Sequence, residues 1–226
     1  MDKVLWTPRL QLTLLETLDE GSKDLEWAHR LNTDEKAMSW SIGGVAGTIE
    51  DTKEQRSGLP SDAAGVKSHH GVYFVHKILT PTSGNKNDPD QAVASKTDLV
   101  GRVSFRTEKT FPNIPAEFTV PTSVEKGVLS LEVGYRFLGS DWGKGFATEA
   151  LAAVLEGMKS SEKFLSPFTK LYVEAMCSHE NPGSIRVLEK VGMKSLGMYS
   201  WEGEKVFLNG AMRDTCVLVH GMWLVE

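Results

Sequence analysis

The stretch "VLSLEVGYRFLGSDWGKGFATEALAAVLEGM", residues 128–158, limits what this chain can fold into more than any other. Its first part alternates. Leu129, Leu131, Val133, Tyr135 and Phe137 share one face, and Ser130, Glu132, Gly134 and Arg136 share the other, which predicts a strand over 128–138. Further on, Ala147, Ala150, Leu151, Val154, Leu155 and Met158 recur at the spacing of a helix lying on a sheet. Gly143 and Gly145 stand just before that helix. A helix start leaves backbone N–H groups unpaired and carries partial positive charge. Glycines let an anionic group approach that backbone closely. The pattern therefore asks which phosphate-bearing ligand such a turn would hold.

The rest of the chain predicts one mixed α/β domain over 1–226. Strands are expected at 9–15, 71–79, 98–106, 170–177, 194–201 and 214–223, and helices at 24–32, 48–57 and 181–192. Asn181 suits an N-cap, Pro182 the first helical position and Gly192 the C′ position, with Ile185, Leu188 and Val191 as the buried side. Two Pro- and Gly-bearing segments, 80–97 and 107–127, read as loop insertions longer than an ordinary connection. A net charge of −5 gives no global basic footprint for nucleic acid. No apolar run is long enough to span a bilayer, and "MDKVLWTPRLQL" lacks the apolar core of a signal peptide. Cys177 and Cys216 lie outside any CxxC spacing, so neither a disulfide framework nor a zinc site is expected. These readings predict a cytoplasmic, reduced protein without a metal.

Two phosphate loops fail against the sequence. A P-loop needs G-x-x-x-x-G-K-[ST]. Gly139 precedes Gly143-Lys144 by one residue too few, and Gly145 replaces the hydroxyl residue. A Rossmann turn needs Gly or Ala three positions after its second glycine, where Thr148 stands. A third pattern, [Q/R]-x-x-G-x-[G/A], fits with Gly145 and Ala147 in the small positions, and Trp142 departs from its first position. "WGKGFATEA", preceded by "LEVGYRFL" and followed by "VEAMCSHENPGSIRVLEKVGM", resembles the GCN5-related N-acetyltransferases (GNAT) over roughly 128–194, in particular the Rim-type branch that acetylates the N-termini of ribosomal proteins.

The resemblance implies a central sheet of about seven strands, splayed between strands four and five and flanked by helices. It implies acetyl-CoA as co-substrate and an amine as acceptor. The pyrophosphate would sit on Trp142, Gly143, Lys144, Gly145, Phe146, Ala147 and Thr148. The pantetheine arm would pair with the strand edge near Phe137 and Leu138 and touch Asn181 and Ser184. Many members donate a proton to the leaving thiolate from a Tyr whose usual place is Leu188 here, which cannot. The Rim-type branch has a Ser where Ser184 stands, which implies Ser184 as thiolate partner, the plainer readings being a cap of the helix's first turn or a solvated hydroxyl. The region after the first helix implies Met38 and Trp40 at the acceptor.

A cationic ammonium cannot attack a thioester. An α-amine with a pKa of about 8 is roughly one-tenth neutral at pH 7, a lysine amine under about a thousandth. Glu132 is the candidate base, with Glu174 second. The plainer reading of Glu132 is a structural carboxylate bonded to Arg136. His179 reads as a surface histidine and Cys177 as a small buried thiol, while Lys144, Arg186 and Lys190 are either phosphate ligands or solvated charges. The expected function is acetyl transfer to a primary amine by direct attack. The alternative is a catalytically weak CoA-binding regulatory or interaction module.

Overall fold

The N-terminal strands β1 (Val4–Trp6) and β2 (Leu10–Leu14) lead into three short helices, α1 (Lys23–Thr33), α2 (Glu35–Met38) and α3 (Ile49–Glu54). Strands β3 (Gly71–Ile78), β4 (Thr97–Arg106) and β5 (Val128–Phe137) follow, then helices α4 (Phe146–Lys159) and α5 (Glu162–Leu165), strand β6 (Lys170–Cys177) and helix α6 (Pro182–Lys190). The chain closes with β7 (Lys194–Ser200), β8 (Val206–Leu208), β9 (Ala211–Arg213) and β10 (Cys216–Val225). These elements come from a computed structural model that describes residues 1–55, 69–79, 96–107, 110, 114–119 and 126–226. Most of the two expected insertions lies outside those residues.

Eight strands form one sheet in the order β1-β2-β3-β4-β5-β6-β10-β7, and β8 and β9 make a separate hairpin. Every neighbouring pair in the large sheet is antiparallel except β5 and β6. The sheet exceeds the expected seven strands by β1, whose three residues are too short to show an alternation. The β8–β9 hairpin falls in a segment that the sequence reads only as a connection. Helix α3 is shorter than expected, because its capping box at Thr48 and Asp51 sets the start and it ends at Glu54.

Helices cover both faces of the sheet. Leu129, Leu131, Val133 and Phe137 of β5 pack with Ala150, Leu151, Val154, Leu155 and Met158 of α4, the stripe predicted for that helix. On the opposite face Ala28 and Leu31 of α1 pack with Val72, Phe74, Leu99 and Leu138. Covering on both sides explains why the first six residues of β3 are all buried. In α6 the buried side is Leu188 with Val187 and Val191, while Ile185, expected there, is half-exposed.

Candidate active site

The parallel ladder between β5 and β6 starts at Val128–Lys170 and ends at Glu132–Glu174. Beyond that rung β5 continues to Phe137 along β4, and β6 continues to Cys177 along β10. The two strands therefore part after the paired glutamates, and a gap opens in the middle of the sheet. The Leu138 N–H is bonded to the Val100 carbonyl at 2.8 Å, so even-numbered backbone groups of β5 point to β4. By strand alternation those of Val133, Tyr135 and Phe137 point into the gap. Leu138 does not extend that edge: its carbonyl accepts from the Asp141 N–H at 2.9 Å.

The glycine turn lies at the far end of the gap. After β5 the chain makes one 3-10 turn, Gly139–Asp141. The Trp142 indole then donates back to the Phe137 carbonyl at 2.8 Å, which fixes the turn to the strand it leaves. Gly143 (φ 76°) and Gly145 (φ 81°) are both left-handed, a conformation that opposes any side chain with a Cβ. Gly145 is the N-cap of α4 and has no side chain to satisfy the first turn's N–H groups, so Phe146, Ala147 and Thr148 present theirs outward. Lys144 is not a free cation. Its Nζ is 2.8 Å from the buried Asp141, which also faces Lys77 at 3.5 Å. Burial works to raise the Asp141 carboxyl, but the bonds from Lys144 and Ser140 and the charge of Lys77 hold it below the ordinary carboxylate range.

Sequence reasoning missed Arg9, which stands beside this turn. Its guanidinium donates to the Lys144 carbonyl at 3.0 Å and to Glu149 at 2.7 Å, and lies 4.9 Å over the Phe146 ring. Glu149 also accepts from the Thr7 hydroxyl at 2.6 Å. This contact ties the β1–β2 turn to the start of α4 across 140 residues of sequence, and no local pattern announces it.

On the α4 side of the gap stands α6. Asn181 caps it, its Oδ1 accepting from the Ser184 N–H at 3.0 Å, as the Asn-Pro pair predicted. The Ser184 carbonyl accepts from the Tyr135 hydroxyl at 3.0 Å, so a β5 side chain spans the gap and holds the first turn of the helix. Burial pushes the Tyr135 phenol upward, which keeps it a neutral donor. Leu188 is buried in the core. Cys177 is half-buried, and burial pushes its thiol up to about 11, as suits the expected small buried thiol. Arg186 and Lys190 are exposed. His179 contacts the Cys216 sulfur at 3.2 Å.

The opposite face of the gap holds the carboxylates. Glu132 is 8% exposed and Glu174 1%. Glu132 is not bonded to Arg136. It accepts from Arg106, its register partner on β4, at 2.7 Å, and from the Thr110 N–H at 2.7 Å and the Thr110 hydroxyl. Arg136 stands four residues along the same strand, about 13 Å away between Cα atoms, whereas Arg106 lies directly opposite on β4 and takes the carboxylate. Glu174 accepts from the Thr119 hydroxyl at 2.6 Å. Beside Glu132 opens a polar cavity of ≈ 180 Å³, lined by Arg102, Ser104, Arg106 and Arg136. Arg136 donates to Asn32 at 2.7 Å and Ser41 at 3.2 Å, so the segment after α1 borders the cavity. Of the two residues expected there, Met38 is 2% exposed and packs inward. Trp40 is half-exposed under the Arg213 guanidinium, 4.9 Å from its ring centre.

The arrangement is a sheet pierced between two parallel strands, with the glycine turn and uncapped start of α4 at the end of the gap and a carboxylate at its base. It defines a group-transfer fold in which a phosphate-bearing donor and an acceptor would meet through the sheet. The family model for the acetyltransferase (GNAT) domain matches residues 12–194. The chain belongs to the GNAT acetyltransferases, and it is an N-acetyltransferase that uses acetyl-CoA and an amine. No curated protein matches it. Similar solved structures include an acetyltransferase (GNAT family) from Bacillus anthracis, 22% identical over 98% of each chain with a TM-score of 0.57. The spermidine N-acetyltransferase of Vibrio cholerae, in complex with CoA and spermine, is 18% identical over 96% of this chain and 97% of that one, with a TM-score of 0.58. Mycobacterium smegmatis RimJ, in complex with CoA-disulfide, is 17% identical over 95% and 81%, with a TM-score of 0.54. These likenesses are ones of fold.

Proposed function

We propose that this protein acetylates the primary amine of a small molecule or a protein N-terminus in the cytoplasm, by direct attack of the bound amine on acetyl-CoA. The observation that carries this is the parting of β5 and β6 immediately after Glu132–Glu174. It leaves a passage through the sheet with the α4 glycine turn at one end and a carboxylate at the other.

In this reading the pyrophosphate rests on the backbone from Gly143 to Thr148, with Trp142 anchoring the turn. The pantetheine amides pair with the gap-facing backbone of Tyr135 and Phe137, as an added strand would. Asn181 and Ser184 flank the arm from α6. The amine enters from the α1 face, past Trp40. Its nitrogen lone pair attacks the thioester carbonyl carbon and forms the C–N bond. Backbone N–H groups of β5 receive the developing oxyanion. Glu132 takes the ammonium proton, directly or through water, with Glu174 as the second candidate. The C–S bond breaks, and the thiolate leaves toward α6, where the Ser184 hydroxyl meets it with a proton. Base and proton donor thus act from opposite faces of the sheet.

Free thiol release from acetyl-CoA, measured across α-amines, amino sugars, polyamines and lysine-like amines, tests the proposal. Amine-dependent release above the solvent background is expected. Tight acetyl-CoA binding with no release for any amine would favour a CoA-binding regulatory module instead.

A further inference from the structure

Three arginines line the cavity beside Glu132, and among the described residues that line it Glu132 is the one anion they face. Arg106 is committed to Glu132 at 2.7 Å. Arg102 and Arg136 are register partners on β4 and β5, so they occupy the same face side by side. Arg136 is held by the neutral oxygens of Asn32 and Ser41, which satisfy two N–H groups and cancel no charge. Among the described residues Arg102 has no hydrogen-bonded or ion-paired partner. Burial first, and then the charge of a neighbouring arginine, bring both guanidinium pKa values down, Arg136 to about 9 and Arg102 to about 10. Both still carry a full charge at pH 7. Holding two adjacent half-buried cations with no anion of their own among the described residues is costly, and a guanidinium presents five donors in a fork that matches a carboxylate or phosphate.

We infer that the acceptor is an amine carrying its own anion, a carboxylate or phosphate several bonds from the nitrogen, which Arg102 and Arg136 bind while the amine stands at Glu132. This rests on the acetyl-transfer reading above and names its substrate class. The geometry sets the spacing. Glu132 and Arg136 are four residues apart on one strand, about 13 Å between their Cα atoms, and the long arginine side chains shorten the reach from there. An amino acid with amine and carboxylate on one carbon is too short, whereas a dipeptide or an N-terminus with an acidic second residue spans the distance. A polycationic amine would set its second charge against Arg102 and Arg136.

Matched amines test this. Glycylglycine against glycylglycinamide supplies the small-molecule arm. C-terminally amidated Ser-Asp-Ala, Ser-Asn-Ala and Ser-Lys-Ala supply the peptide N-terminus arm, and spermidine the polycation. In wild-type protein kcat/KM for the anionic member of a pair should exceed the neutral one by at least about tenfold, the worth of one charge-assisted hydrogen bond, with the lysine peptide and spermidine lower still. Whichever arm shows the larger ratio identifies the source of the anion. Arg102→Gln should cut that ratio to under about threefold, chiefly through KM, with acetyl-CoA affinity by calorimetry unchanged, and Arg102→Lys should retain most of it. The wild-type ratio needs no variant, so a poorly folding Arg102→Gln does not weaken the test. A wild-type preference for the amides or for spermidine overturns this inference alone, as does an unchanged ratio in folded Arg102→Gln. No turnover of any amine removes the acetyl-transfer reading and this inference together.

Discussion

Glu132 and Glu174 are register partners on the last rung of the β5–β6 ladder, the only parallel pairing in the large sheet among the described residues, and the strands part immediately beyond them. Their side chains lie on the same face, yet each is tied to a different neighbour: Glu132 to Arg106 and Thr110, Glu174 to Thr119. Two buried carboxylates side by side repel unless each has its own donors. Glu132 is the one with the polar cavity beside it.

Glu132→Gln therefore separates base from brace. As the base, its loss should lower turnover by roughly 10²–10⁴-fold while acetyl-CoA binding holds, and the residual rate should climb with pH as the amine loses its proton to solvent. Gln keeps one acceptor oxygen for Arg106 but turns an amide donor toward the Thr110 N–H, so some loss of melting temperature is expected as well. A pH–rate profile and a melting curve on one preparation check both. An unchanged rate would transfer the role to Glu174 or to water.

Gly145→Ala addresses the turn. The position is left-handed, so a Cβ there should cost about 1–2 kcal/mol, read as a lower melting temperature. Relief of that strain turns the N–H groups of the first α4 turn away. Calorimetric titration, at a temperature where the variant is folded, should find acetyl-CoA bound at least about tenfold more weakly. Equal affinity would remove the turn from the donor site.

Ser184 and Tyr135 meet at one peptide group, and two substitutions tell their roles apart. Ser184→Ala should lower turnover about tenfold or more with acetyl-CoA affinity nearly unchanged, if the hydroxyl serves the thiolate. Tyr135→Phe removes the bond to the Ser184 carbonyl and should cost about 0.5–1.5 kcal/mol of stability. A loss under about threefold in Ser184→Ala would leave Ser184 as a helix-end residue.

His76 predicts an acid sensitivity remote from the site. It is buried against Trp27, with ring centres 4.4 Å apart, and burial pulls its pKa down to about 4. The unfolded chain takes up this proton below about pH 6.5. Between about 6.5 and 4 the unfolded state thus binds more protons, and stability falls as pH drops. The window spans about 2.5 pH units, worth roughly 3 kcal/mol. Urea unfolding of wild type and His76→Leu between pH 4 and 8 should show the extra slope in wild type alone.

The local signals in the sequence were legible where one segment determines its own structure. The alternation of 128–138 and the stripe of α4 became a strand and a helix because each apolar face packs as the period requires. Gly143 and Gly145 occupy left-handed turns that disfavour a Cβ, and Asn181 caps the helix that Asn-Pro announces. Tertiary structure alone decided who meets whom. Glu132 pairs with Arg106 rather than Arg136 because β4 lies opposite it. Arg9 reaches the α4 turn from the other end of the chain, and Tyr135, read as one more apolar-face residue, crosses the gap to α6. Arg102 and Arg136, 34 positions apart and ordinary surface residues by composition, became neighbours through strand register. Period and capping are properties of consecutive residues, whereas register and the direction in which a gap opens belong to the assembled sheet.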